Sequence, residues 1–172
     1  HLKELDNMYI KKYDAEDIKE FDSLEELRIF DEKYVTNSDS KIFQNICGVL
    51  KCNEEEIKDI KPIKTGMTNT SFKFSHNGKS YLYRHPGPGT ELIINRKSEF
   101  DSMKIAKELG LDDTYIYMDS EKGWKISNYI EDVRILDYED KENVKRAISM
   151  LKKLHTSGRK TDFEFNIFDG IE

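Results

Sequence analysis

At 172 residues the chain has room for one domain, or for a small domain with a piece of another. Hydrophobic residues make up 37% and charged ones 36%, yet nine Phe and nine Tyr supply large core side chains, which excludes disorder throughout. A net charge of −6 with interleaved signs excludes a nucleic-acid or membrane surface as the main partner, and no apolar run reaches membrane-spanning length.

Residues 1–21 show no sustained periodicity, and Asn7 to Tyr13 reads as a short strand. Ser23 with Glu26 forms a capping box, and Leu27, Phe30 and Tyr34 lie on one apolar face of a helix running to about Val35. Thr36 to Asp39 is a polar linker. A second helix spans about Ser40 to Leu50, and Asn53 with Glu56 repeats the capping pattern. The two cysteines, Cys47 and Cys52, lack a C-x-x-C spacing and a nearby His pair. They read as reduced thiols of a cytoplasmic protein, with no metal site.

The segment from Ile60 onward reads strand-strand-strand-helix-strand-strand-connector-helix. Pro62 marks the first strand as an edge or a bulge. Phe72 and Phe74 alternate with polar residues in the second strand, and Tyr81 and Tyr83 bracket Leu82 in the third, which ends at Arg84. Asn77-Gly78 between them is the signature of a two-residue type I′ hairpin turn. The loop His85 to Thr90, broken by two prolines and two glycines, leads to a helix from about Leu92 to Leu109. Phe100, Met103, Ala106 and Leu109 mark its buried side, and Gly110 ends it. Tyr115–Met118 and Trp124–Ser127 are two further strands, and a last helix over about Lys141 to His155 carries Val144, Ile148, Leu151 and Leu154 on one face. Following that apolar face, His155 reads as a packed structural histidine. Hairpin connections make the expected fold α+β: a mostly antiparallel five-stranded sheet with one packed helix and flanking helices.

Three features of this order suit phosphoryl transfer. The turn Gly66-Met67-Thr68-Asn69-Thr70-Ser71 offers backbone N–H groups and hydroxyls to phosphate oxygens. Arg84 is a permanent cation at a strand end, and Glu99, one helical turn before Met103, faces the sheet. A strand cation held by a carboxylate on the following helix is the arrangement protein kinases use to hold a nucleotide. Each element also has a plainer reading: a simple hairpin, a solvated strand end, and a Glu99 paired with Arg96 or Lys97 on its own helix.

Gly66-Met67-Thr68-Asn69, Tyr81-Leu82-Tyr83-Arg84-His85-Pro86-Gly87 and Ile93-Ile94-Asn95-Arg96-Lys97-Ser98-Glu99 together resemble the amino-terminal lobe of bacterial choline kinases, relatives of the aminoglycoside phosphotransferases with a protein-kinase-like fold. Gly123 to Ile130 resembles that family's last lobe strand and hinge, and Leu151 to His155 its first large-lobe helix. The resemblance implies ATP and magnesium as cofactors and choline or a related small alcohol as substrate. It makes Gly66 to Ser71 the loop over the phosphates, Arg84 and Glu99 the catalytic ion pair, and Asn128, Tyr129 and Ile130 the adenine edge. It also implies that the catalytic-loop Asp, the magnesium ligands and the alcohol site belong to a lobe beyond these residues, so that the chain alone is inactive. Asp162 and Asn166 lack a preceding H-x-D, and Phe168-Asp169-Gly170 has the wrong order for a magnesium-binding D-F-G. Asp17 to Leu27 is similar to the closing segment of nucleotidyltransferases of the phosphocholine cytidylyltransferase type. The implied layout is a transferase tail over 1–35, a linker and leading helix over 36–59, the kinase-like lobe and hinge over 60–131, and the start of a larger lobe over 132–172. A non-catalytic connecting module, or the lobe of a phosphotransferase for another small alcohol or an aminoglycoside, are the other readings these residues allow.

Overall fold

The computed structural model describes residue 14 and residues 20–36, 39–63, 69–92 and 94–163. The strand expected between Asn7 and Tyr13, and Gly66, Met67 and Thr68 of the phosphate turn, lie outside the described residues.

The helix α1 (Leu24–Phe30) begins where its capping residues place it. Ser23 Oγ accepts the Glu26 N–H at 3.2 Å, and the Glu26 carboxylate accepts the Asp22 N–H at 2.9 Å. The helix expected to run on to Val35 stops at Asp31, whose backbone is extended and whose carboxylate accepts the Lys33 N–H at 3.0 Å to open the short α2 (Lys33–Thr36). An Asp side chain that competes for local N–H groups breaks helices in this way. Arg28 fixes both helices to the rest of the fold. Its guanidinium donates to the carbonyls of Tyr34 at 3.0 Å, Ile57 at 2.9 Å and Glu54 at 3.1 Å.

After α3 (Lys41–Leu50), Asn53 and Glu56 form the expected capping box around a single 3₁₀ turn. The strands β1 (Lys58–Ile63), β2 (Thr70–His76), β3 (Lys79–His85), β4 (Tyr115–Met118) and β5 (Lys125–Asn128) form one antiparallel five-stranded sheet in the order β1-β2-β3-β5-β4. Pro62 lies on the edge strand, and the β1–β2 register slips between Lys58 and Lys61. Asn77 and Gly78 join β2 to β3 with φ of 50° and 72°, both positive as a type I′ turn requires.

Successive strand residues face opposite sides, so the register sorts the sheet into two faces. One carries the row Phe72, Tyr83 and Ile126, followed by Phe74 and Tyr81. This face packs on Phe43 and Ile46 of α3, together with Ile57 and Trp124, as the hydrophobic core. Its rings stack, with Phe72–Tyr83 centroids 5.2 Å apart and Tyr83–Trp124 centroids 5.9 Å apart. The Asn45 amide donates to the Tyr83 hydroxyl at 3.2 Å, so α3 caps the same face with a polar tie.

The helix α4 (Arg96–Glu108) lies over the other face. It begins at Arg96, not near Leu92, because Thr90–Leu92 forms its own 3₁₀ turn and Asn95 is the cap, its side chain accepting the Ser98 N–H at 3.0 Å. Gly110, with φ of 63°, closes the helix, and the Leu111 N–H reaches the Ala106 carbonyl at 2.8 Å. Phe100, Met103, Ala106 and Leu109 are half-buried. The final helix α5 (Lys141–His155) starts at the Asp140 cap, but Val144, Ile148 and Leu151 on its apolar face are exposed. His155, expected to be packed, is exposed too, since no element among the described residues covers that face.

Candidate functional site

The α4 side of the sheet is organised by one cross-strand row: Ile63, Ser71, Arg84, Lys125 and Met118, one residue from each strand. Directly opposed residues share a face and approach closely, so Ser71 of β2 and Lys125 of β5 flank Arg84 of β3. Glu99 reaches down to this row from the first turn of α4. Its Oε1 accepts from Arg84 Nη2 and lies 3.9 Å from Lys125 Nζ, while its Oε2 accepts from Arg96 Nη1 at 3.0 Å.

The two pairings that the sequence posed as alternatives therefore coexist: Glu99 pairs with its own helix and with the strand at once. Arg96 and Lys125 are the residues sequence reasoning did not place in the site. Lys125 left a signal, being the one charged residue in the buried run Trp124 to Ser127. Its ammonium also lies 3.6 Å from Met103 Sδ. Burial lowers the Lys125 pKa from the ordinary 10.5, the Arg84 guanidinium lowers it further, and the carboxylates of Glu99 and Asp112 pull it back up. Among the described residues three cations thus share one close carboxylate, and Arg84 Nε is buried without a hydrogen-bond partner. A surplus of positive charge behind a polar strand row is what a polyphosphate would neutralise.

Arg96 is itself buried, at 8% exposure. Its second nitrogen donates to Thr90 Oγ1, and the Thr90 hydroxyl donates to the Gly87 carbonyl at 2.7 Å. The other side of the guanidinium lies against Gly123 of the β4–β5 turn. A Cβ at that residue would stand 2.5 Å from Arg96 Cδ, and its φ of 75° independently favours glycine. Beside this brace a cavity of about 400 Å³ is lined by Thr70, His85, Gly87, Thr90 and Arg96.

Of the residues expected over the phosphates, Thr70 starts β2 opposite His85, Ser71 stands opposite Arg84, and Asn69 immediately precedes the strand. Along the expected adenine edge, two backbone donors are already used. The Asn128 N–H donates to the Thr114 carbonyl at 2.8 Å, and the Tyr129 N–H donates to the Ser80 carbonyl at 2.9 Å. This narrows the edge to the Ile130 N–H and to carbonyl oxygens. Lys73, on the same face as Ser71, pairs with Glu131 and sits 4.5 Å from the Tyr129 ring centroid, which ties β2 to the segment after β5. The Lys73 bond, with that of Ser80, holds the Glu131 carboxyl below its usual range.

The opposite side of the molecule offers a different chemistry. A cavity of about 350 Å³ there is lined by Cys47, Cys52, Glu54 and Glu55, whose carboxylates repel an anion. Burial pushes the Cys47 thiol up to about 12, so it stays protonated at neutral pH. Among the described residues no group of His, Cys, Asp and Glu could hold a metal ion, and no helix is long and apolar enough to cross a membrane.

No family model and no curated protein sequence matches the chain. Solved structures do. Choline kinase LicA from Streptococcus pneumoniae superposes with a TM-score of 0.61 at 31% identity, covering 74% of this chain and 44% of that one. LicA in complex with AMP gives 0.62 at 31% identity, over 77% of this chain and 46% of that one. The Plasmodium vivax ethanolamine kinase gives 0.51 at 25% identity, over 84% of this chain and 42% of that one. The chain spans less than half the length of each of these neighbours. Its sheet and helices form a protein-kinase-like small lobe whose structural neighbours are choline and ethanolamine kinases.

Proposed function

We propose that this chain is the ATP-binding lobe of a choline kinase-like phosphotransferase, which in the whole protein transfers the terminal phosphoryl group of ATP to the hydroxyl of choline. The observation that carries the reading is the Arg84–Glu99 ion pair joining β3 to α4 on the polar sheet face. In phosphoryl transfer the protein mostly positions the nucleotide and neutralises charge, and a guanidinium held by a carboxylate does both. The residues present fit polyphosphate, because among the described residues Arg84, Arg96 and Lys125 outnumber the carboxylate they share. Magnesium would screen the phosphate oxygens when bound, and the described residues supply no ligand cluster for it.

In this reading Ser71 and the turn before it cover the phosphates, Arg84 contacts them, Glu99 holds Arg84, and the Ile130 N–H with neighbouring carbonyls meets the adenine. Proton removal from the alcohol is left to residues outside the lobe. Choline is preferred among small alcohols because the neighbour with the greater identity is a choline kinase. A nucleotidyltransferase tail over residues 1–35 rests on the resemblance of Asp17 to Leu27 alone.

Calorimetric titration of the chain with ATP–magnesium tests the reading. Binding is expected, and Arg84→Ala weakens it by on the order of tenfold, the loss of one charge-assisted hydrogen bond. Absent binding, or binding that the substitution leaves unchanged, contradicts the assignment.

A further inference from the structure

We infer that Arg96 is a positioning residue for the Arg84 cation, acting through Glu99. A carboxylate one turn into a helix that made a single ion pair could rotate about its χ angles and release its partner. Here the two oxygens are divided: Oε1 faces Arg84, and Oε2 accepts from Arg96 at 3.0 Å. Rotation of the carboxylate away from Arg84 would also break the Arg96 bond.

Arg96 can act as a fixed reference because its own guanidinium is anchored at three places. One nitrogen holds Glu99, another holds Thr90 Oγ1, and the stem and Nε pack against Gly123. Thr90 is in turn tied to the Gly87 carbonyl by its hydroxyl at 2.7 Å. The brace therefore joins the loop after β3, the first turn of α4 and the β4–β5 turn, which are the segments that set the distance between Arg84 and Glu99. Lysine cannot replace this fork, since one ammonium cannot span Glu99 and Thr90 in a planar arrangement. The glycine at 123 belongs to the same device, because a Cβ there would occupy the space of the guanidinium.

Two readouts separate this inference from the nucleotide reading, on which only the second depends. The first is the mobility of the Arg84 side chain, followed by its Nε–H resonance in NMR relaxation experiments on the full chain without nucleotide. In the wild type the Arg84 Nε–H is expected to be ordered. Arg96→Met, Arg96→Lys and Glu99→Gln are each expected to lower its order parameter, and the double variant Arg96→Met/Glu99→Gln is expected to match Glu99→Gln alone. Thr90→Val, which keeps the Arg96 charge and nearly the shape of Thr90, is expected to give an intermediate loss and serves if the Arg96 variants fold poorly. An Arg84 resonance that is equally ordered in the wild type, Thr90→Val and any folded Arg96 variant overturns the inference.

The second readout compares ATP with adenosine. Arg96→Met is expected to weaken ATP by on the order of tenfold while leaving adenosine unchanged, because the change falls on the phosphate end alone. Equal losses for both ligands would mark Arg96 as a general structural residue and overturn the inference. Wild-type chain that binds no ATP, with the Arg84 response still seen, would instead count against the nucleotide reading and leave the positioning role standing.

Discussion

Replacing Glu99 with Gln removes the carboxylate that three cations share while keeping its shape. At an effective dielectric near 20, its contacts with Arg96 at 3.0 Å and Lys125 at 3.9 Å have gross Coulomb energies of about 5 and 4 kcal/mol. Much of that is offset by desolvation and by the ordering of long side chains. Glu99 is 20% exposed, so its net worth falls between that of a surface pair, about 0–1 kcal/mol, and the loss on breaking a buried pair, about 3–5 kcal/mol. We expect Glu99→Gln to lower the unfolding free energy by about 2–3 kcal/mol, since it also leaves Arg84, Arg96 and Lys125 facing one another. Urea unfolding at neutral pH measures this directly. With a slope of about 1–3 kcal/mol per M, the midpoint falls by roughly 0.7–3 M and the slope is unchanged. Raising the salt concentration narrows the gap, because the repulsion uncovered by the substitution is partly screened. A variant within about 0.5 kcal/mol of wild type at low salt refutes the view that Glu99 binds this cluster together.

Two further outcomes follow from other parts of the fold. The Lys125 pKa is lowered in the folded chain, so between that value and the ordinary 10.5 the unfolded chain binds more protons and the Lys125 contribution to stability rises with pH. Urea midpoints taken across this alkaline window are expected to show the rise in wild type and its loss in Lys125→Met; identical slopes would sink the assignment. Arg28→Ala leaves the carbonyls of Tyr34, Glu54 and Ile57 without their shared donor and is expected to cost about 1–3 kcal/mol. Hydrogen exchange is expected to accelerate in α1 and α2 far more than in β3, and uniform acceleration would show that Arg28 does not act locally.

What the sequence made legible was local. Asn53 with Glu56 and Asn77-Gly78 each encode their turn through their own backbone neighbours and formed as read, whereas Ser23 caps α1 but the Glu26 carboxylate takes the Asp22 N–H in place of the Ser23 N–H that a capping box requires. The alternation of Phe72, Phe74, Tyr81 and Tyr83 identified the buried face, because a strand must direct alternate side chains to one side. Boundaries set by a competing local acceptor were harder. Asp31 stopped α1 early, and Asn95 delayed α4 to Arg96, although both residues also fit the surrounding pattern as ordinary polar positions. The contacts within the candidate site were half legible for a different reason. Arg84 and Glu99 are close in sequence and their strand–helix order suggests contact, but Lys125 joins them only through the β3–β5 register, which local spacing does not specify. Arg96 carried a misleading signal: as the i−3 neighbour of Glu99 it looked like a rival partner for the carboxylate, whereas the Thr90 and Gly123 contacts make it an additional one.

In the proposed function a nucleotide lies on the α4 side of the sheet with its phosphates at Arg84. Backbone amide NMR of the full chain during an ATP–magnesium titration tests this placement. Saturable shifts are predicted at Ser71, Leu82 to His85, Lys125 and Asn128 to Ile130, with α3 and the Cys47–Glu55 side unmoved. Shifts concentrated on α3 and Cys47–Glu55, or none at the Arg84 row, would contradict it.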